Sequence, residues 1–128
     1  MSLKVPLLLG LLLLGLHVCS WNFENISKST SYFGICVEFA VFHFNQHEPD
    51  EYAYKLLWVG RSQHKKWSLI YLMDLELGRT ICKKQDEDID NCPLQEGPEK
   101  KTVKCTFIVD VQPWSTQFNL LNSTCDQK

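Results

Sequence analysis

The types of Cys36 and His43 suit a thiol nucleophile and its base, so their spacing decides whether they can act as one. Seven residues apart on a helix they lie on similar faces but two turns from each other, ~10 Å along the axis, too far for a thiolate–imidazole contact. Cys36 therefore reads as a buried structural cysteine, with dimerisation through an exposed thiol as the alternative. Asp86, Asp88 and Asp90 mimic the first three ligand positions of a calcium loop. Asn91 stands where the loop needs glycine, Cys92-Pro93 interrupts it and no bidentate glutamate closes it, so the run reads as a solvated acidic turn. His47 and His64 have no ligand-spaced partners, which argues against structural zinc. No Ser-His-Asp signature, phosphate loop or pair of catalytic carboxylates stands out. The residues describe neither an enzyme nor a site for a metal or cofactor.

A different chemistry fits Cys82, Cys92, Cys105 and Cys125. Spacings of ten and then twenty residues, within strand-like sequence, read as two local disulfides stapling a small extracellular domain, although four cysteines allow three connectivities. The N-terminus agrees. Lys4 precedes an apolar run from Val5 to Leu16, and Val18-Cys19-Ser20 offers small or modest side chains for cleavage. Residues 1–20 read as a secretory signal peptide cut between Ser20 and Trp21, leaving one domain over 21–128. The run is shorter than the ~20 residues of a spanning helix, so no membrane anchor is expected. Without the signal the chain has 12 basic and 15 acidic side chains, a mild charge with no footprint for nucleic acid. Asn25-Ile26-Ser27 and Asn122-Ser123-Thr124 are N-glycosylation sequons and so expected at the surface.

The elements that position these residues follow from periodicity. Residues 21–31 are polar and irregular, an arm that need not be ordered. Phe33, Val37, Ala40 and Phe44, flanked by Cys36 and Val41, recur at three- and four-residue spacing and predict a helix from Tyr32 to Gln46, stopping before His47-Glu48-Pro49. The period then becomes two. Tyr52 to Arg61 alternates, Trp67 to Leu77 puts Trp67, Leu69, Tyr71, Met73, Leu75 and Leu77 on one face, Val103 to Val111 follows, and Gln117 to Leu121 is a shorter strand. Ser62 to Lys66 and Gln112 to Ser115 read as hairpin connections, and residues 84–100 as a polar excursion. One helix followed by an antiparallel meander is an α+β domain, and its exposed alternating strands leave self-association open.

Together these pieces resemble a type 2 cystatin, the secreted family of papain-type cysteine protease inhibitors. The resemblance is carried by Phe39-Ala40-Val41 with Asn45, by Asp74-Leu75-Glu76-Leu77-Gly78-Arg79-Thr80 leading into Cys82, by Asp90-Asn91-Cys92-Pro93, and by Cys105, Pro113-Trp114 and Cys125. Glu51 to Leu57, Lys66-Trp67 and Asp88 to Pro93 look similar to the testatin (cystatin-9) branch, among the reproductive-tract cystatins. The resemblance implies a five-stranded antiparallel sheet wrapped round one long helix, with disulfides Cys82–Cys92 and Cys105–Cys125.

It also implies a way of binding. A cystatin lines up its N-terminal arm and two hairpin loops as a wedge that fills a protease cleft, so each segment must be apolar, tight and free of unpaired charge. The second loop matches at Pro113-Trp114. The first reads Gln-x-Val-x-Gly in the family. Counting back from Leu-Gly-Arg-Thr places His64 to Ser68 there, with Lys66 at the apolar centre and Ser68 at the glycine. The alternative register starts at Gln63 and ends on Trp67, with Lys65 at its centre. Neither restores the motif, and a lysine inserted without a carboxylate partner would cost several kcal/mol in the worst case. The family's N-terminal glycine falls at Trp21 or Asn22, where there is none, and a glycan on Asn25 would crowd the same edge. Glu48-Pro49-Asp50 replaces the asparagine that some cystatins use against legumain. The expectation is a secreted cystatin-like protein with degenerate arm and first loop that binds another extracellular partner in the male reproductive tract. The alternative is a papain-type protease inhibitor of weak or altered specificity, acting through Pro113, Trp114, Trp67, Lys66 and His64.

Overall fold

The computed structural model of the chain describes residues 22–86 and 88–127. The expected signal peptide, residues 1–20, and Trp21 lie outside them. Among the described residues a single long helix, α1 (Ser31–His47), follows a short strand β1 (Phe23–Asn25). Four longer strands complete the domain: β2 (Tyr52–Lys65), β3 (Ile70–Lys83), β4 (Thr102–Gln112) and β5 (Gln117–Gln127). They form one five-stranded sheet in sequence order, every neighbouring pair antiparallel.

The helix is held by packing more than by its ends. Thr30 at its N-terminus makes no side-chain cap, and the first turn has no acidic residue. A missing cap costs about 1 kcal/mol. Against that, Phe33, Cys36, Val37, Ala40 and Phe44 are all buried, and full burial of a large apolar side chain is worth about 1.5–3 kcal/mol. Their stripe lies on the alternating residues Tyr71, Met73, Leu75 and Leu77 of β3 and Val103, Cys105, Phe107, Val109 and Val111 of β4. Tyr54 joins from β2, its ring edge-on to Phe44 with centroids 5.2 Å apart. The Glu48 amide bonds the Phe44 carbonyl at 2.9 Å, and Pro49 ends the run one residue later than the pattern predicted.

Four expectations are corrected. The arm is ordered in part: β1 pairs with the end of β2, and Ile26 and Ser62 bond each other reciprocally, Ile26 N to Ser62 O at 2.9 Å and Ser62 Oγ to Ile26 O at 2.8 Å. Ser62 to Lys66 is not the hairpin connection, because β2 runs to Lys65 and the chain reverses over Lys65–Ser68. Trp67 does not extend the inward face of β3; it sits at the turn and is 90% exposed. β5 continues past Leu121 to Gln127, a polar strand because it is an exposed one.

The disulfides are Cys82–Cys92 and Cys105–Cys125. The second joins directly opposed residues of β4 and β5. The first closes the 84–100 excursion, which returns along β3 through Ile81 N to Pro93 O and Gln95 N to Arg79 O, both 3.0 Å.

Candidate functional site

Three segments meet at one end of the sheet. The arm arrives because Phe23 pairs with Lys65 and Glu24 with His64. The β2–β3 turn and the β4–β5 turn lie side by side because Ile70 pairs with Asp110 and the Val111 amide bonds the Leu69 carbonyl at 3.0 Å. A sequential antiparallel sheet places alternate hairpins at the same end, so the topology alone creates this edge.

The first turn is closed by Ser68, whose amide (3.1 Å) and hydroxyl (2.9 Å) both donate to the Lys65 carbonyl. Trp67 takes φ 64°. The third residue of a tight turn of this kind favours glycine or asparagine because a Cβ is crowded there. The left-handed position therefore falls on Trp67 and not on Ser68, in agreement with the alternative register of the loop motif. Lys66 has partners within its own chain. Its Nζ lies 4.0 Å from Glu24 and 5.5 Å from the centre of the Trp67 ring, while His64 Nε2 is 3.6 Å from the same carboxylate. These groups are largely solvated, so each contact is worth little. Their effect is positional: Lys66 leans toward the arm and leaves the indole at the apex.

The second turn reaches the same outcome with a left-handed residue of its own. Pro113 presets the first residue of a short 3₁₀ turn, and the left-handed residue is Thr116, φ 49°, closing back on the Pro113 carbonyl at 3.3 Å. Trp114 is 81% exposed. The edge is thus two projecting indoles with a basic collar of His64, Lys65 and Lys66. Exposed aromatics at a convex edge are contact groups for a concave partner, and these turns hold no nucleophile–base pair.

The remaining candidates fall elsewhere. Cys36 is completely buried, and burial, followed by the nearby Asp110 charge, pushes its thiol up to about 12. His43 stacks on His47 with ring centres 4.0 Å apart, and its pKa is lowered by burial and then by that neighbour. Neither makes a catalytic pair. Asp88 accepts both its close contacts from Asn91 Nδ2, as an acidic turn does. The cluster of Cys82, Asp86 and Cys92 has both sulfurs committed to a disulfide. Asn25 and Asn122 are exposed on β1 and β5. Asp50, in the place of the legumain-binding asparagine, points inward. Burial would raise its pKa, but hydrogen bonds from the Tyr52 amide, Arg79 and Tyr54 outweigh burial and hold it below the usual value.

Sequence reasoning gave no role to Glu24, which pairs only through the ordered arm, or to Thr80. It used Asn45 only as a matching residue. In the fold, the Asn45 amide donates to the Tyr54 carbonyl at 2.9 Å and accepts from the Tyr54 N–H at 2.8 Å. Thr80 Oγ1, fully buried, donates to the Ala53 carbonyl at 2.7 Å.

The fold and its three-part edge define a cystatin. The cystatin domain matches residues 22–114, and the chain belongs to the type 2 cystatin family. It is 74% identical to "Probable cystatin-15" of Bos taurus over 97% of both chains, and 54% identical to "Cystatin-12" of Mus musculus over the same shares. The resemblance extends to "Cystatin-9" of Bos taurus at 42%, over 81% of this chain and 72% of that one. Among solved structures, dimeric human cystatin F superposes with a TM-score of 0.73 at 26% identity, covering 83% of this chain and 86% of its own. Cystatins bind cysteine proteases, and this chain is a member of an inhibitor family.

Proposed function

We propose that this chain is a secreted, non-enzymatic cystatin that has given up tight papain-type inhibition and binds another extracellular protein, in the male reproductive tract. Residues 1–20 would direct its export. Among the described residues, no helix is long and apolar enough to cross a membrane. The observation that carries the reading is the first turn: a tryptophan held at φ 64° replaces the small left-handed residue of the loop, with lysines beside it. An indole and two ammonium groups do not enter a narrow apolar cleft without displacing its walls or losing hydration. They suit a broader surface whose rim is acidic.

A second reading is favoured by the intact Pro113-Trp114 turn, whose indole is 81% exposed. In this reading the protein inhibits a papain-type protease weakly or with altered specificity, anchored on Trp114 and helped by Trp67.

Titration of the disulfide-intact protein against papain, cathepsin L and legumain separates the two. Inhibition constants in the nanomolar range would overturn the first reading. Loss of inhibition altogether in both the parent and a Trp114→Ala variant would remove the second. A Lys65→Val, Trp67→Gly variant, which rebuilds the loop in the register the backbone uses, is expected to gain papain inhibition that the parent lacks. The Lys66→Val, Ser68→Gly pair is expected to gain less.

A further inference from the structure

β5 is an outermost strand of the sheet and is eleven residues long, from Gln117 to Gln127. A typical strand has ~5–6. Long edge strands invite pairing with another chain and are ordinarily blunted by lysine, proline, bulges or brevity. β5 contains no Lys, Arg or Pro; Asp126 is its one charge, and a single register shift near Leu121 is its one irregularity. The opposite side of the sheet is different. There β1 is only three residues long, and β2 behind it has three register irregularities and carries Lys55, Arg61 and Lys65.

Asn122 is the middle residue of β5. Two copies pairing their β5 strands antiparallel in full overlap would set Gln117 of each against Gln127 of the other, and Asn122 against its own counterpart, on the two-fold axis. Asp126 would meet Phe118, so no like charges oppose each other across that pair.

Asn122 is also the acceptor of a sequon whose three residues are all exposed. Its place on the sheet follows from the register. Asn25 pairs with Gln63, Gln63 with Leu72, Leu72 with Ile108 and Ile108 with Asn122. Cross-strand partners share a face, so both sequon asparagines stand in one row across all five strands. The neighbours Tyr71, Met73, Phe107 and Val109 line the core under α1, which puts the row on the face away from the helix.

We propose that Asn122 carries an N-linked glycan whose role is to bar β5 from pairing with the β5 of a second copy. In its attachment, Asn122 Nδ2 bonds to C1 of a lipid-linked oligosaccharide. The C1–O bond to the lipid pyrophosphate breaks, its electron pair leaves with the pyrophosphate, and one amide proton passes to base. The sugar is bulky and hydrophilic. Rooted at the two-fold point, it sets two such chains in one place whenever β5 meets β5. A glycan on Asn25, whose Oδ1 accepts from Gln63 Nε2 at 3.0 Å, matters less, because that edge is short and charged. The turn edge with Trp67 and Trp114 and the α1 side stay open.

The proposal rests on secretion. The test is expression of the full chain in mammalian cells, with intact-mass and site mapping of the secreted protein and sedimentation velocity over a range of concentrations. Expected are a glycan on Asn122 and a monomer at every concentration. Thr124→Ala, which removes the sequon and keeps Asn122, is expected to show a mass that rises with concentration toward twice the monomer. Leu121→Lys added to Thr124→Ala should return the monomer, and Ser27→Ala should leave it unchanged. A secreted protein with bare Asn122 overturns this proposal alone, whereas a chain retained in the cytosol overturns the secretory reading with it. A Thr124→Ala protein that stays monomeric, association after Ser27→Ala, or association that survives Leu121→Lys would each overturn it.

Discussion

At the end of the sheet that carries the two disulfides, polar side chains are bonded inward to backbone: Asn45 to Tyr54, Thr80 to Ala53, Asp50 to the Tyr52 amide. At the opposite end, Trp67 and Trp114 project from turns whose charged neighbours are half in solvent. The two ends belong to one sheet but answer to different demands. The disulfide end carries the covalent and buried polar links of the scaffold, and its cysteines, Asn45 and Thr80 match the family. The ion pairs of the turn end are half in solvent and stabilise little, and there the sequence departs from the family pattern at Lys65 and Trp67 while keeping it at Pro113-Trp114.

The contrast is open to attack at the disulfide end first. Replacing Cys105 and Cys125 together by alanine is expected to cost roughly 2–5 kcal/mol in denaturant unfolding. Asn45→Leu comes next, at about 2 kcal/mol, because it strips partners from both the N–H and the C=O of buried Tyr54. Acid then acts on Asp50. Its folded pKa lies below the unfolded value of ~3.9, so its contribution is complete above that pH and is lost as pH falls through the lower folded value. Urea midpoints measured on the acid side should therefore fall less in Asp50→Asn than in the parent, from a lower starting point.

At the turn end the expected effects on stability are smaller, and one has the opposite sign. Trp67→Gly should stabilise by about 1 kcal/mol by releasing the crowded backbone, while weakening whatever binding uses the indole. Trp114→Ala should stay within about 0.5 kcal/mol of the parent. Glu24→Gln, which frees Lys66 and His64, should move stability by no more than ~0.5 kcal/mol. A loss of several kcal/mol from any of these three would erase the distinction between the ends.

The alternation at Tyr71 to Leu77 and Val103 to Val111 located the core strands, because a half-buried strand writes its buried face into every second residue. The same rule misplaced Trp67, which falls in phase with Tyr71 although the chain has already turned. β2 was cut short at Arg61 because Ser62 to Lys65, buried or half-buried in the sheet, are polar and look like loop, and β5 at Leu121 because its exposed residues are polar too. The arm hid its order because its stabilising partners, Ser62 and Gln63, are 36 and 38 residues away. At the site, Pro113-Trp114 was legible as a local motif. The pairing of Lys66 with Glu24 and the left-handed Trp67 were not, since both depend on where the arm docks and on which residue the turn selects.

Among the described residues Cys36 is the free cysteine, sealed between helix and sheet in the same core cluster as the disulfide-bonded Cys105. In the native chain that thiol is held protonated, about 12 against the ~8.5 of a free cysteine. An opening that lifts α1 off the sheet removes the burial that raises the thiol's pKa and returns the group toward ordinary reactivity. The rate at which the thiol takes up a label therefore reads how often α1 leaves the sheet.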